Sequence, residues 1–150
     1  MRKACSIAQS ATAPSFFEGH IGLAFVHSQS GDAAFAISAC DRAERLSPLD
    51  PMLCAILAVR TLALLRLGKL KEAAQAGREL AEQKNAVVHH LAVAMVALAS
   101  AGRWAEAQRI SVALKTRQPG YRVADFKRAM FRIQEDALVH FRDHEQKLGI

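Results

Sequence analysis

Cysteine is too sparse for a disulfide framework. Cys5, Cys40 and Cys54 form an odd set, with no CxxC pair and no histidine at zinc-finger spacing, so neither a stapled scaffold nor a structural metal site is expected. That usage fits a reducing, cytoplasmic setting. Proline (4) and glycine (8) are few, which leaves helix interiors unbroken and weighs against an all-β fold. No apolar run approaches the ~20 residues that span a bilayer; the longest lies around Leu91 to Ala101. No export signal is expected either, because Arg2 and Lys3 are followed by Ser6, Gln9, Ser10 and Thr12 where an unbroken apolar stretch is needed. There is no Gly-x-Ser-x-Gly elbow, no phosphate-cradling glycine loop and no cysteine beside a recognisable histidine partner. Neither an enzyme nor a bound cofactor is expected.

What is present is enough apolar material for one domain with a continuous core: 150 residues, of which 51% are hydrophobic, with alanine and leucine recurring throughout. The formal net charge is +6, but Lys and Arg are spread along the chain without a run of four. Such a distribution favours solubility and mild steering of anionic partners over nucleic-acid binding.

Three stretches share one pattern: Gly31-Asp-Ala-Ala-Phe-Ala36, Gly68-Lys-Leu-Lys-Glu-Ala73 and Gly102-Arg-Trp-Ala-Glu-Ala107. Their glycines stand 37 and 34 residues apart, and internal similarity at such a period signals stacked helix pairs. Before Gly68, the set Ile56, Leu57, Leu62, Leu64 and Leu65 fits a helix buried on most of its surface; after it, Leu70, Ala73, Ala74, Ala76 and Leu80 return at helical steps. Glycine suits the turn between them, and alanine at the sixth position lets the second helix lie close against the first. Unit ends are marked by Ser47-Pro48-Leu49-Asp50-Pro51 and Gln118-Pro119-Gly120. In the first of these, Asp50 is expected as N-cap with Pro51 at the first helical position; in the second unit, Asn85 is expected to cap the next helix.

Taken together, these residues resemble the tetratricopeptide repeat family. The resemblance puts Gly31, Gly68 and Gly102 at the family's turn, Ala36, Ala73 and Ala107 at its small residue, and Pro48 and Pro119 at its terminal proline. His20, Leu57 and Leu91 replace the usual tryptophan of the first helix, and Ala24, Thr61 and Met95 stand at the usual glycine or alanine. It implies an all-α, right-handed solenoid: a half repeat at 1–14, repeats at 15–50, 51–85 and 86–120, and C-terminal capping helices at 121–150. A looser similarity links Leu46-Ser-Pro-Leu-Asp-Pro51, Gly102-Arg103 and Pro119-Gly-Tyr-Arg122 to the C-terminal repeat regions of bacterial multidomain regulators, including class III nucleotide cyclases and winged-helix transcription regulators.

Among chemical candidates, His140 and His144 lie four apart with Glu135, Asp136 and Asp143 nearby, but lack a clear third ligand, and a solvated terminal helix accounts for them better. His89 and His90 are adjacent, so on a helix they diverge by about 100° and do not chelate as a pair. Trp104 and Phe35, just past the turn glycines, are read as packing residues and not as stacking platforms for single strands.

The resemblance also implies a function, since stacked helix pairs of this family line a groove with their first helices. Inward positions would include Glu18, Ile21, Phe25, Ser28 and Gln29, then Ala55, Ala58, Leu62, Leu65 and Arg66, then His89, Ala92, Val96, Ala99 and Ser100. Ile21, Phe25, Gln29, Leu62, Arg66, His89 and Val96 are the expected contacts to a protein or peptide partner. Apolar Ile21, Phe25, Ala58, Leu62, Ala92 and Val96 argue against the subfamily that clamps acidic chaperone tails with Lys and Asn. An incomplete first repeat would leave Phe16, Phe17 and Phe25 open, so self-association, most simply as a homodimer, is expected there. A regulatory fragment of a larger signalling protein, and a nucleic-acid-binding repeat, are the alternatives.

Overall fold

The computed structural model describes residues 14–46, 51–130 and 132–150, with the backbone alone at 14–18. The regular elements of the described residues are helices, with no strand among them: α1 (Pro14–Ser30), α2 (Ala33–Leu46), α3 (Leu53–Arg66), α4 (Leu70–Ala81), α5 (Val88–Ser100), α6 (Trp104–Arg117), α7 (Val123–Ala129) and α8 (Glu135–Leu148). Residues 1–13 of the expected half repeat at 1–14, the expected unit end at 47–50 with Pro48 and Asp50, and the side chains of Phe16, Phe17 and Glu18 lie outside the described residues, while Pro14 opens α1.

Each helix from α1 to α6 packs on its neighbours in sequence, and α1, α3 and α5 also pack on one another in succession. The central position of α5 follows from its composition. Its unbroken buried run from Leu91 to Ala99 has no polar side, which suits a helix covered all round. Helix α4 is amphipathic and buries Ala73, Ala74, Ala76, Gly77 and Leu80, leaving Lys71, Glu72, Gln75 and Glu79 outside.

The repeated motif has a repeated geometry. Ala36, Ala73 and Ala107 are each fully buried. Gly68 and Gly102 both adopt left-handed backbone, φ 70° and 78°. Each sits in the same double closure of the preceding helix: Gly68 N–H to Leu65 O and Lys69 N–H to Leu64 O, then Gly102 N–H to Ala99 O and Arg103 N–H to Leu98 O, all at 2.9–3.0 Å. These bonds satisfy carbonyls that a helix end would otherwise leave without donors.

Gly31 turns the chain differently, since it is not among the glycines of positive φ. Here the Asp32 N–H donates to His27 Nδ1 at 3.1 Å, and the Phe35 N–H donates to the Asp32 carboxylate at 3.1 Å, which caps α2.

Two expectations about helix starts need correction. Pro51 precedes α3 as part of a turn, with Met52 at the N-cap, so it is not the first helical residue. Asn85 does not cap α5, whose N-cap is Val87; its side-chain amide reaches back to donate to Pro51 O at 3.1 Å and ties adjacent loops together. The segment after residue 121 also goes further than a cap on the last helix pair. Helix α7 packs on α5, while α8 lies against α3 and α5 and also touches α6 and α7.

Candidate partner-binding face

Helices α1, α3 and α5 form the layer on which a groove was expected, and α8 is seated on two of them. Ala137, Leu138, Phe141 and Leu148 fall on one side of α8, and all four are buried in the same cluster as Leu62, Leu65, Leu91, Ala92 and Val96. Phe141 stacks on Phe126 of α7, with ring centroids 4.2 Å apart.

Arg66 is the polar anchor of this arrangement. It ends α3, and its guanidinium donates to His27 O at 2.8 Å and Gly31 O at 2.9 Å, closing the end of α1 that lacks the glycine cap. The same group forms two bonds to Asp136 in the first turn of α8, at 2.8 and 3.0 Å. The planar fork of arginine suits this work because it offers several donors at fixed angles. Beside it, the Gln134 N–H donates to Gln29 O at 3.1 Å. The Gln29 side chain is buried, and its Oε1 has no partner.

At the other end of α8, His144 Nε2 is 3.1 Å from Ser100 Oγ, and its ring meets Trp104 edge-on. Lys147 Nζ lies 3.5 Å above the Trp104 ring. Trp104 therefore packs against α8. The helix finishes with Ser111 Oγ and Lys115 Nζ donating to Leu148 O at 3.0 and 2.8 Å, and with Gly149 in left-handed backbone.

The residues expected to contact a partner divide into three groups. Gln29, Leu62 and Val96 are buried. Arg66 and His89 are engaged by the chain's own C-terminal segment, His89 through Tyr121 OH at 2.9 Å and the nearby Phe126 ring. Ile21 and Phe25 are half-buried on α1, packed against Ala24, Ala39 and Cys40. On the same helix, Leu23 and Val26 are exposed at 49% and 46%; they were absent from the expectation, although their three-residue spacing was there to be read.

One pairing that sequence reasoning missed joins Cys54 on α3 to His90 on α5, 36 positions apart, with Sγ 3.1 Å from Nδ1. The Val87 N–H donates to the same nitrogen at 3.3 Å, so Nδ1 is the bare nitrogen and the thiol is a donor. Burial pushes the thiol pKa up and the imidazole pKa down. Both groups are neutral, the opposite of the thiolate–imidazolium pair that an activated cysteine needs. Cys40 is buried as well, and its thiol is pushed up to about 12. Among the described residues, no three His, Cys, Asp or Glu side chains converge as a metal site, and no helix is long and apolar enough to cross a membrane.

Comparison with protein-family models, curated proteins and solved structures yields no match to this chain.

Proposed function

We propose that this chain is a tetratricopeptide-like helical-repeat module that binds a helical segment of another protein and catalyses no reaction. The observation that carries the reading is the seating of α8 on α3 and α5, where an amphipathic helix is held by an apolar cluster and an arginine clasp. A surface that takes one such helix has the shape and chemistry to take another. The identical closures at Gly68 and Gly102, and the buried alanines that follow them, support the repeat assignment.

Display of amphipathic helical peptides to the purified chain, scored by anisotropy, tests the function. Binding that is lost when the acidic first-turn residue of the bound peptide is replaced by lysine supports it, whereas a chain that retains no helix from a diverse library refutes it. A second reading, self-association through the outer side of α1, draws on the exposure of Leu23 and Val26. Sedimentation at increasing concentration tests that reading separately.

A further inference from the structure

The proposed helix-binding face is not vacant, and how it is filled indicates what it prefers. Helix α8 carries devices that stabilise it within its own length, beside the contacts of its C-terminal half with Ser100, Trp104, Ser111 and Lys115. Glu135 and Asp136 stand in its first turn, Arg142 pairs with Glu135 along its outer side, and Gly149 closes its C-terminal end. Each device stabilises a helix locally, through the dipole or through neighbouring turns. Against the seat, α8 contributes Ala137, Leu138 and Phe141 as apolar contacts, and Asp136, itself about half exposed, as the partner of Arg66.

The fit fails at one atom. Gln29 Oε1 is buried where α8 begins and has no hydrogen-bond partner, and an acceptor left in that state penalises the closed arrangement. Gln134 meets the Gln29 backbone and does not relieve the side chain.

Resting on the reading of this face as helix-binding, we infer that α8 is an exchangeable occupant which holds the face shut. The partner that replaces it is an amphipathic helix of the same chemistry, with an acidic residue in its first turn for Arg66 and apolar residues spaced as Ala137, Leu138 and Phe141. Immediately before that helix, the partner brings a hydrogen-bond donor for Gln29. Its apparent affinity is lowered by the fraction of molecules in which α8 is docked, so loosening α8 strengthens binding without changing the face itself.

The test uses the full chain, as wild type and as Asp136→Ala, with a fluorescein-labelled synthetic peptide of residues 132–150 and a control peptide carrying Leu138→Asp and Phe141→Asp. Hydrogen exchange of α8 is followed in parallel. Asp136→Ala removes a half-exposed partner and leaves Arg66 its two close carbonyls, so the chain stays folded. The expected result is peptide binding about 2–5-fold tighter to Asp136→Ala than to wild type, none for the control, and α8 amides exchanging ahead of those in α3 and α5. Equal, tight binding to both proteins would overturn the shut state while leaving a helix-binding face. Exchange of α8 only together with α3 and α5 would overturn exchangeability and make α8 a fixed part of the core. If α8 exchanges early in Asp136→Ala and the peptide still does not bind, the helix-binding reading itself fails. A concentration-dependent dimer with α8 protected would overturn the foreign partner in favour of a second copy.

Discussion

Arg66 and Asp136, 70 positions apart, meet at 2.8 Å, and through the same guanidinium, which also donates to His27 O and Gly31 O, the end of α3 holds both the end of α1 and the start of α8. The Arg66 side chain is 8% exposed and Asp136 52%, so the two partners contribute unequally. Arg66→Ala leaves the His27 and Gly31 carbonyls without their donor and is expected to cost about 2–3 kcal/mol. Asp136→Ala removes only a screened partner, worth about 0–1 kcal/mol. Urea denaturation of both variants checks this, and equal losses would show that the carbonyl contacts contribute nothing.

Packing predicts a second result. Ala73 and Ala107 are each fully buried early in a second helix, so replacement by leucine overpacks the contact and is expected to destabilise by about 1–3 kcal/mol. Melting temperatures unchanged from wild type in both variants would contradict the register of the repeats.

The turn glycines predict a third. Around Gly68 and Gly102 there is open space for a Cβ, yet both have positive φ, so alanine there meets a backbone penalty and no clash. Each substitution is expected to cost about 1–2 kcal/mol. At Gly31, where φ is not positive, an added Cβ instead runs into the His27 ring. A penalty at Gly31 that disappears in a His27→Ala background, with no such relief at Gly68, would confirm the two mechanisms.

A fourth prediction concerns pH. Burial lowers the pKa of His89, His90 and His144, with Asp125 partly opposing this at His89 and Asp143 at His144. A histidine whose folded pKa is depressed binds protons more readily when unfolded, so stability is complete above the unfolded value of about 6.5 and is lost as pH falls towards the folded value. Denaturation midpoints at pH 7.5 and 5.5 should show this decline, and His90→Gln should reduce it. A midpoint that rises on acidification would reverse the assigned sign.

Much of the helical scaffold was readable because it depends on local chemistry. The Gly-x-x-x-x-Ala pattern announced both the left-handed closures at Gly68 and Gly102 and the buried alanines, and the apolar run through Leu91 to Ala99 announced a surrounded helix. Cap residues were less readable, because Asn85 and Pro51 serve the link between two loops instead of the helix starts next to them. The seat of α8 was hidden for a different reason. Ala137, Leu138, Phe141 and Leu148 say that one side of a helix is buried, and an amphipathic pattern does not name the surface that buries it. For the same reason, Cys54 and His90 gave no sign of each other until α3 and α5 were packed.

The bond from Gln134 to Gln29 gives the chain a property that a linear stack of helix pairs lacks. Where every contact is local, units can join or leave one at a time from either end. Here the last helix is fastened to the end of the first described one, and its seat exists only after α3 and α5 have come together. Docking of α8 is then a late, long-range closure that slows folding. Once closed, the loop resists unravelling from either end until α8 lets go of its seat.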